Sequence, residues 1–143
     1  MNEILVATDG SEDAFRAIDY AVKLAKAMEA RLIIATVSNA VSTVLFERFT
    51  PEQSAWLRER ETTLATETLR AAAERARAKG AADVILESRV GDTAEGILDL
   101  AEERKVELIV VGKRGTGRIE GLLVGSVSQK LLSLSPRPLL VVP

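Results

Sequence analysis

The sequence predicts an open, five-stranded parallel α/β sheet of strand order 3-2-1-4-5 with helices on both faces, a Rossmann-like arrangement. Three observations predict it. Short apolar runs alternate with stretches of helical periodicity along all 143 residues. The apolar runs are continuous, as in strands covered on both faces. Parallel strands joined by right-handed crossovers carry helices on both faces only if the sheet grows first one way and then the other. Strands one to three then run outward and the fourth returns beside the first. The switch point falls between strands one and four, where sheets of this kind bind ligands.

Each element has its own signal. Ile4-Leu5-Val6-Ala7 is a short buried strand that ends at Thr8-Asp9-Gly10-Ser11. Ser11 can cap the next helix, and Glu12 and Asp13 suit its positive end. Phe15, Ile18, Val22, Ala25 and Met28 recur at three- and four-residue steps, one apolar helical face. Arg31 to Val37 is the second strand. Between Ser38 and Thr50 the pattern is lost. Pro51 suits the first turn of a long helix that runs to Lys79 and stops at Gly80. Its seam is Leu57, Leu64, Ala65, Leu69, Ala72, Ala73 and Ala76, small enough for close packing on a sheet. The third strand starts at Val84-Ile85-Leu86 and runs out at Val90-Gly91. Asp92 to Glu95 has capping-box spacing, and the helix behind it buries Ala94, Ile97, Leu98 and Ala101. Leu108 to Val111 is the fourth strand. The last helix carries Val127, Leu131 and Leu134 on one side, Ser135-Pro136-Arg137-Pro138 breaks the chain, and Leu139 to Val142 makes the fifth strand. There is no internal repeat, low-complexity tract or linker, so residues 1–143 read as a single domain, long enough to bury about 70% of its unfolded surface.

Composition removes whole classes of chemistry. The chain has no cysteine, which excludes disulfides, thiolate metal sites and thiol redox work. It has no histidine, which excludes a Ser-His-Asp triad, a His-ligated metal and imidazole catalysis. A net charge of −2 argues against a general nucleic-acid or anionic-membrane binder, and the few aromatics leave little for base stacking. The opening residues lack a basic leader and the longest charge-free stretch, Leu32 to Phe46, is too short and polar to span a bilayer. A cytoplasmic location is the expectation.

The candidate site lies after strand four. Gly112, Gly115, Gly117 and Gly121 fill the loop, and Gly125-Ser126 opens the helix behind it. A strand, a Gly-rich loop and a helix N-terminus gather N–H groups and a positive helix end at one place, which suits a phosphate. A long connection that simply needs glycines to turn is the alternative. Lys113, Arg114 and Arg118 either screen phosphates or are merely solvent-exposed. Across the predicted switch point stands Asp9, as a ligand group or as a turn-forming residue beside Gly10. The string G-x4-G-K-[ST] is absent, and Glu120 stands where G-x-G-x-x-G needs its third glycine. An FMN site wants aromatics near the ring, and Trp56 is badly placed. A phospho-receiver site wants an acidic pair after strand one and an Asp after strand three, where this chain has Asp9 alone and Ser88-Arg89.

Gly112-x2-Gly115-x9-Gly125-Ser126 resembles the G-x2-G-x9-G-[ST] spacing of the ATP-binding branch of the universal stress protein family. Val6 to Ser11, Gly91 to Glu95 and Pro138 to Val142 resemble the same family in the right order. The resemblance spans nearly the whole chain, with Ser38 to about Ala55 unmatched. It implies ATP bound between the loops after strands one and four and a homodimer paired through the C-terminal strand; a triphosphate held there by a hydroxyl and amides at a helix N-terminus is expected to carry Mg²⁺. Carried over by position, Ala7, Thr8 and Asp9 resemble the family's adenine and ribose contacts, and Val37 the position that reads the adenine edge through its main chain. Gly112 matches a ribose-side contact. Gly115, Gly125 and Ser126 match phosphate contacts, with Val127 a further donor and Lys113 and Arg114 beside them. The implied role is a nucleotide-dependent stress-response or signalling module. A slow ATPase or phosphotransferase using the same pocket, or a dimeric scaffold, are the alternatives; Asp9 is the one carboxylate the sequence brings near the site, and it offers no complete catalytic set.

Overall fold

The computed structural model describes residues 2–38, 48–114 and 125–143. Its described elements are β1 (Glu3–Ala7), α1 (Glu12–Met28), β2 (Arg31–Ser38), α2 (Pro51–Ala78), β3 (Val84–Val90), α3 (Thr93–Arg104), β4 (Leu108–Gly112), α4 (Ser126–Leu134) and β5 (Leu139–Val142). The sheet order is β3-β2-β1-β4-β5 and every described pairing is parallel, as the crossover argument required. Alternation along each strand sorts the core into two layers. Ile4, Val6, Leu32, Ile34 and Val110 meet α1 and α2 through Ala17, Ile18, Ala21, Leu69, Ala72 and Ala76. Leu5, Ile33, Ala35, Ile109 and Val111 meet α3 and α4 through Ala94, Ile97, Leu100, Ala101 and Leu131. Alanine on the helices brings their backbones close to branched strand residues, the packing anticipated for α2.

The helix starts have the chemistry that the cap positions demand. Ser11 accepts the Ala14 N–H, and the Asp92 carboxylate accepts the Glu95 N–H. Thr50 and Gln53 form a reciprocal capping box ahead of Pro51, a signal that the reading of this stretch as patternless passes over.

Five details depart from the sequence expectation. Met28 is 38% exposed, Leu64 52% and Leu134 55%. Each lies on the expected helical stripe but beyond the ground that the sheet covers; the buried residues of α2 begin only at Ala65. In α3, Leu100 is buried and Leu98 only partly so. β3 is not covered on both faces: Leu86 and Val90 are exposed, because it is an edge strand.

Candidate functional site

The carboxyl ends of β1 and β4 adjoin at the switch point, and Asp13 in the first turn of α1 bonds the main chain that leaves β4. After β1, Thr8 is buried, and its N–H donates to Ala35 O at 2.9 Å, which continues the β1–β2 ladder by one residue. Its hydroxyl accepts the Gly10 N–H at 3.2 Å, and Asp9 Oδ1 accepts the Ser11 N–H at 2.9 Å. Gly10 has φ +84°, so the turn needs a residue without a Cβ. The turn-forming role of Asp9 is therefore real, and it holds an exposed carboxylate at the mouth of the crevice.

After β4 the chain is gripped at several points. Lys113 N–H donates to Val142 O at 2.6 Å. Arg114 N–H donates to the Asp13 carboxylate at 3.2 Å. Gly125 N–H donates to Lys113 O at 2.8 Å, so residues 113 and 125 form the neck of the connection between β4 and α4. Ser128, buried on α4, donates its hydroxyl to Gly112 O at 2.8 Å and fixes the helix to the strand end.

Two glycines of the motif have steric reasons. A Cβ at Gly112 would lie 2.8 Å from the Asp13 carbonyl carbon, and one at Gly125 would lie 3.3 Å from Arg114 Cα and from Lys113 O. These close approaches are why strand, neck and α1 can meet at all. Gly115, together with Gly117, Arg118 and Gly121, lies outside the described residues.

The mouth of α4 carries the most direct ligand chemistry. Gly125 is its N-cap and supplies no side chain, and the first intrahelical bond is Gln129 N–H to Gly125 O. The amides of Ser126, Val127 and Ser128 therefore have no intrahelical acceptor and share the positive helix end. Ser126 is exposed, and Val127 is partly buried against the core. At the far side of the crevice Val37 sits near the end of β2, pressed by α3: a Cβ at Gly96 would lie 2.8 Å from Val37 Cγ1. Asp13 and Ser128 are the residues that sequence reasoning did not single out. Asp13 read only as a partner of the helix dipole, and Ser128 drew no reading. Their partners lie on other elements, so no local pattern betrays them.

A doubly wound parallel sheet with a pinched, glycine-dependent neck and a helix N-terminus at its switch point defines a Rossmann-like domain, the class that binds ligands at the carboxyl ends of the strands flanking that point. The chain belongs to the universal stress protein family, whose model matches residues 1–143. It is 36% identical to the universal stress protein YxiE of Bacillus subtilis, over 99% of this chain and 98% of that one. Among solved structures, a universal stress protein in complex with cAMP superposes with a TM-score of 0.77 at 33% identity, covering 99% of this chain and 97% of the other. The universal stress protein UspA from Lactobacillus plantarum superposes with a TM-score of 0.85 at 25% identity, over 99% and 97%. No helix among the described residues is long and apolar enough to cross a membrane.

Proposed function

We propose that this chain is a cytoplasmic, nucleotide-dependent stress-response or signalling module that binds ATP in the crevice between the loops after β1 and β4. The observation that carries the reading is the mouth of α4, where amides without intrahelical acceptors and the exposed Ser126 hydroxyl converge beside the Lys113–Gly125 neck. In this reading Ser126, Val127, Gly125 and Gly115 hold the phosphates. The Lys113 and Arg114 backbone amides are already committed to Val142 and Asp13, so these two residues act on the phosphates through their side-chain charge. Asp9 takes the ribose, with Gly112 beside it, and the main chain at Ala7, Thr8 and Val37 takes the adenine. The Ser126 hydroxyl is an oxygen donor that would help hold Mg²⁺ beside the phosphates, where the ion would offset their negative charge. The solved relative in complex with cAMP supports an adenine nucleotide in this family fold.

Titration calorimetry with ATP, cAMP, AMP, adenosine and inorganic phosphate tests the reading. ATP should bind more tightly than adenosine. Ser126→Ala should weaken ATP about tenfold, the value of a hydrogen bond to a charged group, and leave adenosine unchanged. Ser126 is preferable to the glycines for this purpose because it is exposed and makes no cap bond. No heat with ATP at millimolar concentration would sink the nucleotide reading. Hydrolysis clearly above that of Gly115→Val and Ser126→Ala controls would favour the enzyme instead.

We also propose a homodimer through β5. The two edges of the sheet differ. β3 turns Glu87 and Arg89 toward α3, where they pair with Arg104 and Glu103, the kind of charge that blunts an edge. β5 is Leu139-Leu140-Val141-Val142, with no charge to deter pairing. A partner's β5 is the simplest cover.

A further inference from the structure

Asp13 is in the first turn of α1 and only 3% exposed. Burying a carboxylate costs a great deal unless its oxygens are paired. Glu12, its exposed neighbour, already serves the positive helix end without that cost. The burial of Asp13 is thus explained by what it touches. One carboxylate oxygen takes the Arg16 guanidinium, and the other accepts the Arg114 N–H at 3.2 Å. Arg16 in turn donates from Nε to Pro143 O at 2.9 Å. The two residues that follow β4 are therefore held by their main-chain amides from two sides: Lys113 from the end of β5, Arg114 from Asp13. Arg16 joins the two anchors. The Asp13 backbone also lies against Gly112, which is close enough that a Cβ there would collide.

We propose that Asp13 is a positioning residue for the phosphate end of the site, a role that rests on the nucleotide reading above. It does not meet the ligand. It fixes Arg114 directly and, through Arg16 and Pro143, steadies the end of β5 that holds Lys113; the Lys113 carbonyl fixes Gly125, and Gly125 is the N-cap that aims the mouth of α4. The adenosine end is built on β1 and β2 apart from Gly112, which meets the Asp13 backbone and Cβ, atoms that Asp13→Ala and Asp13→Asn leave in place.

The two ends of the ligand separate this role from a merely structural one. ATP and adenosine are titrated into wild type, Asp13→Ala and Asp13→Asn, and amide hydrogen exchange is followed at Arg114 without ligand. Asp13→Ala should weaken ATP about tenfold, change adenosine by less than about twofold, and speed exchange of the Arg114 amide. Asp13→Asn keeps an oxygen for that amide but releases Arg16, and should weaken ATP about threefold. An equal loss for ATP and adenosine, or no loss for ATP, overturns the proposal. Should Asp13→Ala fail to fold by circular dichroism, Asp13→Asn decides: unchanged ATP affinity then overturns it. If wild type binds ATP and Asp13 variants bind it equally well, only the role of Asp13 falls. If wild type binds neither ATP nor adenosine, the nucleotide reading falls and the Asp13 role with it.

Discussion

Gly96 shows how a single side chain can invert an intrinsic preference. In an ordinary helix interior Gly→Ala stabilises by roughly 1 kcal/mol. Here the added methyl would lie 2.8 Å from Val37 Cγ1 and 3.0 Å from Cγ2, both on a stiff β-branched residue. Gly96→Ala should therefore destabilise by about 1 kcal/mol in urea unfolding, the overpacking term exceeding the helical gain. Val37→Ala in the same chain should recover that loss, and a double-mutant cycle measures the coupling. Gly112→Ala faces Asp13 backbone in place of a side chain, cannot be relieved by a rotamer change, and should cost about 2–3 kcal/mol. At this scale the sequence is legible where a residue acts through its own backbone. Gly10, Ser11 and the glycines at 112 and 125 stand out for that reason. Asp13, Ser128 and Gly96 do not, because each draws its meaning from a neighbour that is remote in sequence: Arg114, Gly112 and Val37.

Among the elements, helix starts are the parts the sequence specifies best, since a cap and its partner lie three residues apart. The Thr50–Gln53 box holds a helix whose described buried residues all lie in its second half, from Ala65 onward. Thr50→Ala should cost about 1 kcal/mol and fray the first turns, seen as faster amide exchange at Gln53 and Ser54. Helical periodicity finds the apolar stripe but not where the sheet beneath it ends, which is why Leu64 and Leu134 lie in solvent. Acid stability also belongs here. The Arg75 guanidinium, bonded to Asp19 at 2.8 and 2.6 Å across α1 and α2, holds that carboxyl below its usual range. The Glu95 N–H, and then Lys130, do the same for Asp92. A depressed carboxyl contributes stability that is present above its unfolded value of about 3.9 and lost as pH falls through the lower folded value. Unfolding midpoints should thus fall below about pH 4, and Asp19→Asn should flatten that acid limb.

Across the whole molecule, charges alternate in one chain: Asp83, Arg31, Glu3, Arg104, Glu87, Arg89 and Glu103, with links of 2.8–3.9 Å. It runs from the amino ends of β2 and β1 up the α3-facing side of β3, away from the proposed crevice between the carboxyl ends of β1 and β4. Glu3, 8% exposed, is its hub between two arginines. Glu3→Gln should destabilise by about 2 kcal/mol, less than a fully buried pair because both arginines reach water, and should leave nucleotide affinity unchanged. The proposed dimer makes its own prediction at this scale. Sedimentation at micromolar concentration should give twice the chain mass, and Val141→Lys on β5 should give the monomer. Sheet order was legible because handedness and alternation leave few topologies. The charge chain was not, since its members are scattered over five segments of the sequence and look like any solvated face.

The neck between Lys113 and Gly125 has a use for protein engineering. Its ends are joined by the Gly125 N–H to Lys113 O bond and held from outside by Asp13, Val142 and Ser128. Doubling the length of a closed loop costs only about 0.6 kcal/mol in closure entropy. A short glycine-serine insertion between residues 115 and 124 should therefore shift the melting temperature by only a few degrees, read by calorimetry, which makes this connection a place to carry a reporter peptide.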